Sequence, residues 1–284
     1  MKKFLLILLC GVCLTACQKQ EDVFIKNPVI YDNIPMTEEM IEEANDLSLM
    51  QDKTMLEYKG GVSHKLDLDQ DGTREEIFYE MGNFEEDYTY TSGTLKINDI
   101  DYSSEIEDMF NISESFTIGR IGKQFFLMIT SELDDDYIDT RIFIYEAGLR
   151  CVCASLEGSY QKMPFMYDDL LHTARHTDVL GSDIIDVNYK WNGSEFVEVL
   201  PEDGLYSYDI YKGKKLKVLE NLTVYENRDL EKEIVLPVGT EFTSDKTDGE
   251  CWSNVIVDNK EYWFFNDYSD WSFFDKIEGL FFAG

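Results

Sequence analysis

From residue 56 onward the chain alternates apolar and polar residues with a period near two. The clearest runs are EEIFYEM, GTLKIN, KQFFLMIT, RIFIYEAG, DIIDVNYKW, EFVEVL, LTVYEN and EYWFF. β-Branched and aromatic side chains fill these runs and clusters of Gly, Asn, Asp and Ser separate them, so the pattern predicts many short strands. Only Thr37 to Met50 keeps a helical period, with Met40, Ile41, Ala44 and Leu47 on one stripe, Thr37 as N-cap and acids in the first turn. Residues 18 to about 35 show no period and hold Pro28 and Pro35, as a tether does.

The strand pattern also repeats. Phe84-Glu85-Glu86-Asp87-Tyr88-Thr89-Tyr90-Thr91 recurs about 50 residues later as Leu133-Asp134-Asp135-Asp136-Tyr137-Ile138-Asp139-Thr140. Each copy follows an apolar run (Ile77 to Tyr79, then Phe126 to Met128) and precedes another (Leu95 to Ile97, then Ile142 to Ile144). A third unit near 171 to 200 has the runs without the octet. Units of this length, with three or four strands each, match a propeller blade or a similar four-stranded sheet module. The expected fold is mainly β: a propeller-like or β-sheet repeat domain over 56–205, then a small barrel, with one short N-terminal helix.

Residues 1 to 16 form a different kind of segment. Lys2 and Lys3 precede an apolar stretch, Phe4 to Leu14, too short to span a bilayer comfortably. It ends Leu14-Thr15-Ala16-Cys17, which resembles the lipobox of bacterial lipoproteins. That resemblance implies cleavage before Cys17, diacylation of its sulfur, and attachment to the lipid bilayer on the extracytoplasmic face of a bacterial membrane. Two acyl chains suffice for a stable anchor. The expected organisation is a signal peptide over 1–16, a lipidated tether and helix over 17–55, the repeat domain, and a last domain over 213–284.

Charge narrows the partners. With 57 acidic against 25 basic residues, a net charge of −32, the chain repels phosphate backbones, and nucleic acid is excluded as a partner. A hydrophobic content of 44 % excludes low-hydrophobicity disorder. Past the leader the cysteines are Cys151, Cys153 and Cys251. On a strand Cys151 and Cys153 share one face, which suits burial better than mutual bridging.

Residues 66 to 79 read LDLDQDGTREEIFY. Asp67, Asp69 and Asp71 alternate, Gly72 allows a sharp turn, Thr73 offers a carbonyl, and Glu75 stands at the ninth position. Hard oxygens gathered this way suit calcium. The position that carries a bidentate Glu in a helical EF-hand is Phe78, and the flanks are strand-like. The loop is similar to the calcium-binding hairpins of FG-GAP and VCBS-type β-propeller repeats, which implies a structural calcium ion held by Asp67, Asp69, Asp71, Thr73 and Glu75. Asp134, Asp135, Asp136 and Asp139 lack the alternating pattern and are read as a solvated acidic tip.

From about Leu216 the order changes. Val238-Gly239-Thr240-Glu241-Phe242, then Trp252, then Asn259-Lys260-Glu261-Tyr262-Trp263-Phe264 is similar to bacterial SH3-like domains, with Ile277 to Phe282 as a closing strand. The turn after the first strand is Tyr225-Glu226-Asn227-Arg228 rather than the Arg-Ser-Gly-Pro of wall-binding relatives. Trp252, Trp263, Phe264 and Phe265 are expected in the core.

No nucleophile elbow, phosphate loop or dinucleotide fingerprint is present in the sequence. His172 and His176 lack the glutamate of a zinc-hydrolase helix and are read as loop residues. The expectation is a non-enzymatic, membrane-anchored module for a protein, peptide or cell-wall ligand, with no catalytic residues. The alternative is a secreted hydrolase using a carboxylate pair in the repeat domain.

Overall fold

The computed structural model describes residues 55–82, 93–109, 111–132, 137–159, 163–208, 211–266 and 271–280. The leader, Cys17, the 37–50 helix, the first acidic octet and residues 133–136 lie outside these. Among the described residues the fold is mainly β, without an α-helix, and every run nominated above overlaps a strand.

The N-terminal part is built of three antiparallel meanders. The first comprises β2 (Ser63–Leu66), β3 (Glu75–Glu80), β4 (Thr94–Ile97) and β5 (Ile100–Asp101). The second comprises β6 (Ser115–Ile121), β7 (Gln124–Glu132), β8 (Tyr137–Tyr145) and β9 (Leu149–Ser159), with β1 (Leu56–Lys59) added beside β6. The third comprises β10 (Phe165–Tyr167), β11 (Leu170–Thr177), β12 (Asp183–Trp191) and β13 (Phe196–Glu198). Both runs that flank an octet pair as antiparallel neighbours, β3 with β4 and β7 with β8.

The second sheet is buried on both faces. Side chains of a strand alternate between faces. Phe125, Leu127 and Ile129 of β7 therefore join Leu66, Ile77, Tyr79 and Leu95 of the first sheet in one cluster. Phe126 and Met128 join Met166 and Leu171 of the third sheet in another. A continuous apolar run such as Phe125 to Ile129 is what two-sided burial demands. Deleting Phe126 there would cost about 3–5 kcal/mol, as for other buried aromatics.

The stack ends after three layers. The outer face of the first sheet carries Lys65, Glu76, Phe78, Glu80 and Lys96, whereas that of the third mixes Asp186, Asn188 and Lys190 with Phe165, Ala174 and Ile184. A closed propeller needs apolar contacts on both faces of every blade; the charged outer face of the first sheet lacks them, and the described sheets do not close. The propeller-like arrangement expected from the sequence is replaced by an open three-layer stack.

The C-terminal unit has two sheets around a third cluster containing Leu216, Val224, Val255 and Phe264. One sheet runs β14 (Tyr206–Ser207), β19 (Lys246–Thr247), β20 (Trp252–Val257), β21 (Lys260–Phe265), β16 (Leu222–Tyr225) and β17 (Glu233–Leu236). The other runs β18 (Glu241–Phe242), β15 (Leu216–Val218) and β22 (Ile277–Glu278). Asp258 and Asn259, both at positive φ, form the two-residue turn between β20 and β21. The expected closing strand begins at Ile277 and pairs with β15. Neither sheet closes into a barrel.

This unit starts before residue 213. Tyr206 pairs with Thr247, and Tyr208 and Tyr211 are fully buried in its core. Its joint with the third meander is part apolar, with Leu180 in the unit's core and Ile185 and Val187 packed with Tyr206, and part polar. Arg175 contacts Glu198 through both terminal nitrogens (3.2 and 3.4 Å) and lies over the Tyr206 ring, whose hydroxyl donates to the same carboxylate. Burial, then Glu198, push the Tyr206 hydroxyl up to about 12.

Candidate metal centre

The β2–β3 connection roots its acidic loop in the core. Leu66 and Leu68 are buried on either side of Asp67, which fixes where the Asp67 carboxylate can lie. Left-handed backbone at Gln70 (φ 61°) and Gly72 (φ 89°) then curls the chain back on itself, and glycine accommodates the second of these without strain. Oxygens of Asp67, Asp69 and Asp71 come within 4.8 Å of one another.

Each carboxylate also accepts a loop amide. Gly72 N donates to Asp67 Oδ2 (3.1 Å), Asp71 N to Asp69 Oδ1 (3.2 Å) and Thr73 N to Asp71 Oδ1 (2.6 Å). These bonds orient the three groups and leave their second oxygens for another partner. Asp67 Oδ1 is buried without any hydrogen-bond donor. An orphaned buried carboxylate oxygen beside two further carboxylates fits a hard cation, and calcium's preference for several oxygens in a flexible loop matches the donor set.

The remaining predicted ligands are placed differently. Thr73 is held at the loop by its own amide. Glu75 lies on the inner face of β3, 4 % exposed, and its Oε2 accepts Leu68 N at 2.8 Å, so it braces the loop from below rather than joining the cluster. Burial raises its pKa above the ordinary carboxylate range. The Leu68 amide opposes that shift, while the charges of Asp69 and Asp67 add to it.

The loop also reaches the second sheet. Gln70 Nε2 donates to the carbonyl of Lys123, in the turn between β6 and β7. An ion gathering the three aspartates would thus tighten a contact between layers, not only a surface turn.

Glu75→Gln tests this arrangement. A raised carboxylate pKa means that the folded state holds its proton more tightly than the unfolded chain. Glu75 therefore costs stability as pH rises through its folded value, and the cost vanishes below the ordinary range. Glutamine keeps an oxygen for Leu68 N without the charge. In chelator at pH 7 the variant is expected to melt above the parent, with the gap closing on acidification. A variant that melts lower at pH 7 would show that the charge is not a burden there.

The other chemical groups are placed as follows. His172 and His176 stand on β11, not in a loop. His172 stacks on Phe165 (4.8 Å between centroids) and its Nε2 meets Tyr167 O at 3.0 Å, while His176 stacks on Tyr137 (3.6 Å). This polar stretch is a strand because it pairs along its length with β12 while its histidines stack on aromatic rings, contacts that periodicity does not encode. Cys151 packs against the first cluster and Cys153 against the other face of the sheet. The shared face expected for them is lost because a bulge shifts the β8–β9 register between the partners Ile142 and Phe143. Burial raises the pKa of both thiols. Cys251 is pushed up to about 11 by burial and by Asp248 and Glu250.

In the C-terminal unit Trp252, Trp263 and Phe264 are buried, as expected, with Phe264 in the main cluster. Trp252, Trp263 and Phe265 occupy the opposite face with Tyr225, and Arg228 covers Trp263 at 5.0 Å. They are shielded by one another and by that arginine rather than by the main cluster.

No protein-family model matches the chain, and no curated protein or solved structure does so either.

Proposed function

We propose that this protein is a lipid-anchored, extracytoplasmic and non-enzymatic binding or adaptor module for a protein, peptide or cell-wall ligand. The observation that carries the reading is the sequence Leu14-Thr15-Ala16-Cys17 behind a basic and apolar leader, because acylation of Cys17 gives the chain an address and an anchor at once. No described helix is long and apolar enough to cross a membrane.

On this reading the three meanders are sheet-repeat units, and the C-terminal unit is an open relative of the SH3-like architecture. Calcium is structural: it neutralises Asp67, Asp69 and Asp71 and fastens the first layer to the second. An open layered scaffold presents edges and loops to a partner.

Crosslinking and pull-down from detergent-solubilised membranes test the reading. The full chain should enrich a defined partner over a control in which the same leader and Cys17 carry an unrelated domain. Failure to enrich, together with hydrolysis of wall glycan that is lost on substituting a carboxylate pair, would replace it with the hydrolase alternative.

A further inference from the structure

The six-stranded sheet ends at β17, whose far side pairs with nothing among the described residues. Its ladder with β16 determines which backbone groups face outward. Glu226 N donates to Lys232 O (3.1 Å), and Ile234 and Leu236 follow in the same phase, opposite Val224 and Leu222. Hydrogen-bonded and non-hydrogen-bonded positions alternate in an antiparallel pair, so Glu233 and Val235 turn N–H and C=O away from the sheet. Such an edge is a template for another strand.

Natural edges are blunted by short length, lysine or proline, and β17, four residues between Lys232 and Pro237, keeps only two open rungs. Here Val235 is 57 % exposed and Val238, just past Pro237, is 63 % exposed. Pro237 lacks an N–H and stops the ladder, which confines any added strand to the rungs at Glu233 and Val235.

Charge selects the occupant. Arg228 is committed to the Trp263 ring and Lys232 is paired with Glu226. Among the described residues no cation pairs with Glu233, itself one of the open rungs, or with Glu231 before it. A second copy would bring the same acidic edge and a net charge of −32. A basic strand is complementary in both respects.

We infer that β17 receives an extended peptide segment of a partner, with Lys or Arg alternating with apolar residues, as an added strand. This deepens the adaptor reading and rests on it. The basic side chains would lie beside Glu233, their methylenes against Val235, and the apolar ones beside the half-buried Ile234.

The test uses the detergent-solubilised full chain and capped peptides (Lys-Val)4, (Glu-Val)4 and (Lys-Gly)4. The first should bind and slow amide exchange at Glu233 and Val235 at least tenfold, and the other two should not. Val235→Pro removes an N–H that the fold does not use, and Val235→Lys keeps the backbone intact. Each should weaken (Lys-Val)4 at least tenfold with an unchanged melting temperature. Should the proline variant unfold, the lysine variant decides.

No binding of (Lys-Val)4, equal binding by (Lys-Gly)4, protection at another edge, or undiminished affinity in Val235→Lys would overturn the assignment. These outcomes concern the β17 edge alone, whereas the membrane pull-down concerns the adaptor reading. A partner captured equally by parent and Val235→Lys would leave the adaptor and remove this edge.

Discussion

Millimolar calcium is expected to raise the melting temperature of the protein, and the paired substitutions Asp69→Ala and Asp71→Ala to abolish the rise. Three carboxylates drawn within 4.8 Å of one another repel without a cation, and the buried Asp67 Oδ1 has no donor to offset its desolvation. An ion that binds only the folded loop stabilises by RT ln(1 + [L]/Kd), about 2.7 kcal/mol at a hundredfold excess over Kd. General screening also stabilises a chain of net charge −32, so sodium at matched ionic strength is the required reference. Calcium should exceed it clearly. Magnesium should do less, because it holds its waters and demands a stricter geometry. An equal response to calcium and sodium, or an undiminished response in the double variant, would reduce the loop to an acidic hairpin.

The strands were legible because their alternation is local. The apolar run in EEIFYE predicts a strand, and in the fold Glu75, Ile77 and Tyr79 are buried whereas Glu76, Phe78 and Glu80 face outward. The same alternation carried the argument against closure: Glu76, Glu80 and Lys96 on one face leave nowhere for a further blade. Motif resemblance favoured the propeller, but the charged face decides the architecture.

What the sequence concealed depends on contacts remote along the chain. β11 contains LLHTARHT, which has little β character by composition. It becomes a strand because it pairs along its length with β12 and because its histidines stack on Phe165 and Tyr137. The faces of Cys151 and Cys153 turn on one bulge, which no spacing rule reveals. PEDGLYSYDIYKG resembles a linker by its turn residues, yet Tyr206, Tyr208 and Tyr211 anchor it in the C-terminal unit.

The candidate metal loop was readable at its three aspartates, whose alternation and following glycine specify the curl. The role of Glu75 was not, because position nine of a loop and the inward face of a strand coincide there. Pairing Leu66 with Glu75 places it beneath the loop. The β17 edge was likewise hidden: only the register shows that its outward rungs fall on Glu233 and Val235.

Membrane fractionation of Cys17→Ser tests the central claim, a protein held at the membrane by acylated Cys17, most directly. Serine lacks the sulfur to which a diacylglyceryl group would be attached, and a leader of this length offers no lasting substitute for two acyl chains. The parent should sediment with membranes and enter the detergent phase, whereas Cys17→Ser should either accumulate with its leader uncleaved or appear in the soluble fraction. A Cys17→Ser protein that is processed and still enters the detergent phase as the parent does would contradict the account.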